Sequence, residues 1–133
     1  MKILVSVDGS PYTKRMLAYL TAHDEWLGAR HRYTVVHAVA AVLDKALLGS
    51  HYDEEAEKVF KSIRVFFAEQ HIDAAFVAQV GPAAEVVSRL ATEGGFDLLM
   101  MGSHGHGALS SLVMGSVAAR VLASCRTPVL LVR

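Results

Sequence analysis

Short apolar runs alternate with segments of helical periodicity along this chain of 133 residues. Runs rich in aliphatic and β-branched residues predict five buried strands, at 2–8, 33–39, 74–80, 96–101 and 127–132. Between these runs, apolar residues recur at intervals of three and four, which is typical of a helix with one buried face. The pattern therefore predicts strands and helices in strict alternation.

Four helices follow from these intervals and from residues that typically begin or end helices. Ser10 and Pro11 are placed to cap and begin helix 1, and Gly28 is placed to end it. The segment 50–53 is typical of the start of helix 2, and helix 3 lies between the Gly81–Pro82 turn and Gly94–Gly95. The predicted apolar faces are Met16, Leu20, His23 and Leu27 in helix 1; Ala56, Val59, Phe60, Ile63 and Phe67 in helix 2; Ala83, Val86, Val87, Leu90 and Ala91 in helix 3; and Val117, Ala118, Val121, Leu122 and Cys125 in helix 4.

The stretch 40–49 is apolar but follows no long period. It is compatible with a lid near a ligand, a contact with a partner, or a loop folded on the core. We favour the loop, because apolar loops usually pack against their own protein.

Strands that alternate with helices of this length indicate a parallel sheet with right-handed crossovers. We predict a single domain over residues 1–133, with a Rossmann-like, open five-stranded sheet in the order 3-2-1-4-5 and helices on both faces. Such sheets bind ligands at the carboxyl ends of the strands, where the strand order switches. In this order the switch lies between strands 1 and 4, so Asp8 and the loop 102–107 face the same crevice.

Composition narrows the class of protein. Hydrophobic residues make up 53% and charged residues 20% of the chain, and no apolar run approaches the roughly 18 residues of a membrane helix. Thirteen basic residues balance thirteen acidic ones, which argues against a nucleic-acid partner. Cys125 is the sole cysteine, and Met1 leads directly into a strand, so we expect no disulfide, no signal peptide and a cytoplasmic location.

A glycine-rich loop links strand 4 to helix 4. Gly102, Gly105 and Gly107 expose backbone N–H groups, and Gly115 and Ser116 lie where a helix N-terminus presents more of them, a combination suited to phosphate. The alternative is a flexible turn before a helix, with the Ser116 hydroxyl capping that helix. A P-loop is excluded because no Lys follows these glycines, and the loop lies too late in the chain for the dinucleotide fingerprint.

The spacing of Gly102, Gly105, Gly115 and Ser116 resembles the ATP-binding signature of the universal stress protein family. Further segments are similar to the first, second and last strands of that family: Ile3 to Ser10, Val35 to Ala38, and Thr127 to Val132. The resemblance covers essentially the whole chain, in order.

The resemblance implies a site for ATP. From the residues alone, Asp8 is equally suited to binding adenine or ribose and to accepting hydrogen bonds from its own turn. The family pattern places a matching Asp against adenine, and it assigns Ala38 and Met101 to the base pocket. It assigns ribose and phosphates, bound mainly through backbone N–H groups, to Gly102, Gly105, Gly115, Ser116 and Val117.

The lack of positive charge in the glycine loop implies a metal ion, and the apolar last strand implies a second copy of the chain. Residues 100–117 contain no Lys or Arg, and a helix dipole supplies only about half a charge. We therefore expect Mg²⁺, held mainly by phosphate oxygens and water. The apolar run Val129 to Val132 forms a sheet edge that invites pairing, and the resemblance implies a homodimer through this strand. The balanced charge and the absence of a long apolar run lead us to expect no nucleic-acid or membrane partner.

Three histidines raise the question of a metal. His37 lies within a strand and is predicted to be a hydrogen-bonded core residue. His104 and His106 form a His-x-His pair without a third ligand, which favours a structural or phosphate-proximal role over zinc.

The function predicted on these grounds is that of an ATP-binding, nucleotide-dependent regulator of the stress response. One alternative is a slow Mg²⁺-dependent ATP hydrolase or nucleotidyl-transfer enzyme, in which His104 or His106 stabilises the transferring phosphate. The other is a dimeric interaction module without bound nucleotide.

Overall fold

The computed structural model describes residues 1–41, 48–105 and 114–133. This part contains five strands, four helices and a short 3₁₀ turn at Gly28–Arg30. The elements are β1 (Lys2–Ser6), α1 (Pro11–Ala22), β2 (Arg32–Val39), α2 (Leu48–Glu69), β3 (Ala74–Val80), α3 (Ala83–Glu93), β4 (Leu98–Gly102), α4 (Ser116–Ser124) and β5 (Val129–Val132). Within the described ranges, no helix is both long enough and apolar enough to cross a membrane.

All five strands are parallel, in the order β3-β2-β1-β4-β5, which confirms the predicted fold. Val5 of β1 pairs with Val35 of β2 and with Met100 of β4, and Gly102 of β4 pairs with Val132 of β5. Because the strands are parallel, their carboxyl ends lie at one edge of the sheet. The turn after β1 and the loop after β4 therefore begin side by side.

The sheet separates two apolar layers because successive side chains of a strand point to opposite faces. Ile3 and Val5 face α1 and α2, whereas Leu4 faces α3 and α4. The first layer includes Met16, Leu20, Phe60, Ile63 and Phe67 from the helices. The second includes Ala84, Val86, Val87, Ala91, Ala118 and Val121.

Two predicted helix ends are wrong. Helix α1 ends at Ala22, where the backbone N–H of His23 donates to the Tyr19 carbonyl, and not at Gly28. Gly28 instead adopts a positive φ of 61° and begins the 3₁₀ turn. Helix α2 begins at Leu48, before the predicted start at 50–53.

Other predicted segments shift or leave the described part of the chain. Strand β1 ends at Ser6 rather than at Asp8, and β4 begins at Leu98 rather than at Phe96. Most of the stretch 40–49, with its predicted packed loop, lies outside the described residues. In α4 the apolar stripe is narrower than its spacing indicates, because Ala118 and Val121 are buried while Val117 and Leu122 remain 37% and 43% exposed.

Tyr33 anchors the amino end of β2 to the 3₁₀ turn. Its ring is buried against Phe67, and its hydroxyl donates to the Gly28 carbonyl at 2.9 Å. Burial raises the pKa of Tyr33 to about 12; Asp24 adds to the increase and Arg30 opposes it. The fold therefore favours the neutral phenol.

This pKa predicts a specific loss of stability in alkali. Above pH 10 the unfolded chain ionises Tyr33 while the folded chain keeps the proton, so the free energy of unfolding falls until the folded pKa of about 12 is reached. Between pH 9.5 and 11 the wild type should lose about 1 kcal/mol more than Tyr33→Phe, measured by urea unfolding. Parallel pH profiles for the two proteins would contradict this assignment.

Candidate functional site

Asp8 lies in the turn between β1 and α1, at the carboxyl edge of the sheet. Its carboxylate Oδ1 accepts hydrogen bonds from the Ser10 N–H at 2.9 Å and from the Thr13 hydroxyl at 3.1 Å. The Asp8 N–H in turn donates to Thr13 Oγ1 at 3.2 Å. One carboxylate oxygen is thus engaged by the turn itself.

Ser10 precedes α1 and Pro11 begins it, as predicted, but the Ser10 side chain does not cap the helix. The Ser10 hydroxyl is fully buried, and among the described residues it has no hydrogen-bond partner. The Asp8 carboxylate binds the Ser10 N–H instead. A negative charge beside the first turn of α1 is favourable because the helix dipole is positive there.

The glycines of the loop after β4 allow three close contacts. A Cβ on Gly105 would collide with Asp8 Oδ2, which places the second carboxylate oxygen directly against the loop. A Cβ on Gly102 would lie 2.7 Å from the Cβ of Tyr12 in α1. A Cβ on Gly115 would lie 2.9 Å from the Ser103 carbonyl oxygen and 3.0 Å from the Cα of His104.

These contacts join the loop to both neighbouring helices. The Gly115 N–H donates to the Ser103 carbonyl at 2.8 Å, so the residue that precedes α4 is bound to the residue that follows β4. The Ser103 N–H donates to the Val132 carbonyl at the end of β5. The structure thereby brings together Asp8, Gly102, Gly105 and Gly115, four of the predicted site residues.

Ser116 and Val117 form the first turn of α4, and both are exposed. Gly115 is the residue before the helix, so Ser116 is helical and does not cap α4 with its hydroxyl. The first N–H groups of a helix have no intrahelical acceptor. The first turn of α4 therefore presents backbone donors next to the glycine loop.

Ala38 and Met101 belong to the same apolar cluster, on the face of the sheet covered by α3 and α4. Ala38 is half-buried near the end of β2, and Met101 is 4% exposed near the end of β4. Both lie toward the carboxyl edge, on either side of β1. Their side chains belong to the packing between the sheet and the helices α3 and α4.

Ser103 and His104 are buried polar residues of the loop. Ser103 Oγ and His104 Nδ1 are 2.9 Å apart, and the imidazole ring packs on the ring of Tyr12 with centroids 5.0 Å apart. The guanidinium of Arg15 lies over the same Tyr12 ring, 4.8 Å from its centroid. We call Arg15, Tyr12 and His104 the α1 stack.

Histidine positions do not form a metal site in the described part of the chain. His37 Nδ1 donates to the Val7 carbonyl at 2.9 Å, and its ring packs against Phe60, as predicted for a core residue. Among the residues with assigned positions, no group of three or more potential ligands could hold a metal ion. His106 and Gly107 lie outside the described residues.

An open parallel sheet in the order β3-β2-β1-β4-β5, with a glycine-rich loop at the switch in strand order, defines a doubly wound α/β protein. The sequence matches the family model of the universal stress protein family over residues 1–133. The chain belongs to the universal stress protein family.

Relatives and solved structures agree with this assignment. A universal stress protein of Thermus aquaticus is 37% identical, over 98% of this chain and 97% of its own length. The universal stress protein UspA from Lactobacillus plantarum has the same fold, with a TM-score of 0.81 at 20% identity over 100% of this chain and 97% of its own.

Three structural neighbours were crystallised with adenine nucleotides. An Archaeoglobus fulgidus protein holds dAMP (TM-score 0.74, 18% identity, 100% of this chain and 98% of that one). An Arabidopsis thaliana protein holds AMP, with a TM-score of 0.72 at 13% identity over 99% of this chain and 90% of that one. A further universal stress protein holds cAMP, with a TM-score of 0.69 at 22% identity over 100% of this chain and 97% of that one. At these identities the likeness to this chain shows the fold alone.

Sequence reasoning missed the contribution of α1. The helical pattern predicts that Thr13 is an ordinary polar residue of an amphipathic helix, yet it is buried and hydrogen-bonded to Asp8. Tyr12 gave no signal because its partner, His104, lies about ninety residues later in the chain. The available clue was Thr13 itself, a hydroxyl five residues after an Asp that closely follows a strand.

Replacing Thr13 tests whether this network stabilises the turn. Thr13→Val keeps the shape but removes both hydrogen bonds to Asp8, and should lower the free energy of unfolding by about 1–3 kcal/mol in urea titrations. Thr21→Val is the matched control on the same helix, because its exposed hydroxyl bonds only the Leu17 carbonyl. The control should change stability by about 0.5 kcal/mol or less; equal losses in the two variants would argue against the network.

Proposed function

We propose that this protein binds ATP in the crevice at the carboxyl edge of the sheet and acts as a nucleotide-dependent regulator of the stress response, in the cytoplasm. The observation that carries the proposal is the meeting of Asp8 with Gly105 and of Gly115 with Ser103, contacts that only glycine backbones permit. They unite an acidic group, a glycine loop and a helix N-terminus in one place.

The phosphate end of the nucleotide is proposed to lie at Gly105, Gly115 and the first turn of α4. Ser116 and Val117 contribute backbone N–H groups there, and Ser116 also contributes an exposed hydroxyl. Helix N-termini with such free donors attract anions through the N–H groups and the helix dipole together. Gly102 lies between this end and the base and is assigned to the ribose.

The adenine end is proposed to lie between Asp8, Ala38 and Met101. Asp8 Oδ1 accepts hydrogen bonds from its own turn, and Oδ2 lies against Gly105 of the loop, so the carboxylate is at the edge where this base is assigned. Ala38 and Met101 are apolar residues of the strands that flank β1. The adenine nucleotides in the three neighbouring structures support this choice of base.

Mg²⁺ is proposed to accompany ATP, bound mainly through phosphate oxygens and water. Hydrolysis should be slow, because the sequence offers no convincing base to activate a water molecule. Binding is therefore the primary activity, and the state of the loop with and without nucleotide is the signal that a partner would recognise.

Calorimetric titration with ATP and Mg²⁺, after removal of co-purified nucleotide, tests the proposal directly. The wild type should bind, and Gly115→Ala and Asp8→Ala should bind about tenfold more weakly or worse, since each loses or displaces a contact at the site. Phosphate release, followed in the same samples, measures turnover and would identify an enzyme.

Asp97→Ala is the matched control. Asp97 is also a carboxylate that accepts a backbone N–H, from Lys2 at 2.7 Å, but it lies at the opposite, amino edge of the sheet. The Asp97→Ala variant should bind ATP with the affinity of the wild type. A stripped, folded wild type that binds no nucleotide would overturn the ATP assignment and favour an interaction module.

We also propose that the protein forms a homodimer through β5, Val129–Val132. The carbonyls of Pro128 and Val132 accept hydrogen bonds from β4, so the alternation of a parallel ladder points the N–H and C=O groups of Val129 and Leu131 outward. Val117 and Leu122 of α4 are exposed large apolar residues. An open strand edge of this kind invites pairing with a second copy.

Leu131→Pro tests the dimer, because proline at this outward-facing position removes a donor without breaking the β4–β5 ladder. Light scattering should give twice the 14.4 kDa chain mass for the wild type and a single chain mass for the variant. Ala78→Pro places proline at an outward position of the other edge strand, β3, and should remain dimeric. A monomeric wild type would contradict the interface.

A further inference from the structure

A cleft of about 500 Å³ opens at the amino edge of the sheet, opposite the edge that carries the proposed nucleotide site. It lies where β2 and β3 begin, and residues 29–33, 71 and 73–75 line it. Ala29, Ala74 and Ala75 form part of its wall with small side chains. A volume of this size is within the range of small-molecule sites in proteins.

Positive groups outnumber negative ones in the lining of this cleft. Arg30 and Arg32 are its two arginines, and Asp73 is its acidic residue. The nearby carboxylate of Asp24 packs against Gly28 and is not part of the lining. The cleft is therefore suited to an anion.

Both arginines have N–H donors available for such an anion. Arg30 donates from Nη2 to the Glu25 carbonyl, and a guanidinium has further donors beyond this one. The exposed side chain of Arg32 makes no hydrogen bond or ion pair with the described part of the chain. Planar guanidinium donors match the geometry of phosphate oxygens.

His71 supplies an independent observation, through the way in which α2 ends. The Ile72 N–H donates to the Phe67 carbonyl at 2.9 Å, and the His71 N–H donates to the Ala68 carbonyl at 3.1 Å, which is the Schellman arrangement. His71 occupies the left-handed position of this motif, with a φ of 55°. Glycine is favoured there, because a Cβ atom makes the left-handed conformation less stable.

A histidine at this position lowers stability, and its side chain lies where the cleft can use it. His71 is exposed, lines the cleft, and makes no side-chain hydrogen bond or ring contact within the described ranges. His31 differs, because its two ring nitrogens lie 2.8 Å from the Met1 nitrogen and 2.8 Å from the Trp26 carbonyl oxygen. Backbone strain of this kind is typical of residues that serve a ligand.

We propose that this cleft is a second ligand site, which binds a phosphate group through Arg30, Arg32 and His71. Three donor-bearing side chains suit the several oxygens of a phosphate better than the two of a carboxylate. The Asp73 carboxylate weakens the attraction for a bare phosphate but can accept a hydrogen bond from a hydroxyl of a phosphorylated compound. The site is separate from the proposed nucleotide crevice and does not depend on it.

Amide spectra of the ¹⁵N-labelled protein, titrated with inorganic phosphate and in parallel with glycerol phosphate, test this site. Amide shifts at residues 30–32 and 71–75 should saturate at millimolar ligand, and tighter binding of the ester would identify an organic ligand. Arg32→Gln should weaken binding about tenfold, as expected for a lost charge-assisted hydrogen bond. Shifts confined to residues 102–105 and 115–117 would overturn the site while supporting the nucleotide crevice.

Arg126→Gln is the matched control, since Arg126 is an exposed arginine between α4 and β5 and its loss changes the net charge equally. It should change the affinity for phosphate less than about twofold, the effect of a distant exposed charge. Equal losses in Arg32→Gln and Arg126→Gln would show a general charge effect and overturn the assignment of the cleft.

His71→Gly separates the role of the side chain from that of the helix end. Glycine should raise the urea midpoint of unfolding, because it removes the strain, and should weaken phosphate binding about threefold, because the imidazole is lost. His71→Ala should weaken binding equally without raising the midpoint, since it keeps the Cβ atom. A raised midpoint with unchanged affinity in His71→Gly would overturn the role of His71 as a phosphate ligand.

Discussion

Three backbone approaches at the carboxyl edge of the sheet require the absence of a Cβ atom. Gly102 lets the first turn of α1 reach the end of β4, Gly105 lets the loop reach Asp8, and Gly115 lets the start of α4 reach the Ser103 carbonyl. Side chains at these positions would push α1, the loop and α4 apart. The elements meet here through backbone atoms, and the same backbone supplies the N–H groups proposed to bind phosphate.

Asp8 stabilises the turn at the carboxyl edge of the sheet and is also assigned to the proposed ligand site. One carboxylate oxygen binds the Ser10 N–H and the Thr13 hydroxyl and fixes the turn into α1, while the other faces the glycine loop. The structure thus shows Asp8 as a residue that accepts hydrogen bonds from its own turn, and its ligand-binding role stays a proposal.

The sequence by itself determined the alternation of elements, the parallel sheet and its order, and the glycine spacing, because these depend on local hydrophobic period and on connections of adequate length. The ends of helices were harder to predict. Gly28 has a left-handed conformation beyond the end of α1, and the sequence does not distinguish a glycine that ends a helix from one that begins the next turn. Only the tertiary structure decided that Thr13 binds Asp8 and that the Tyr12 ring packs on His104. These contacts depend on how α1 packs across the sheet against β4. The spacing of residues along the chain does not specify that packing.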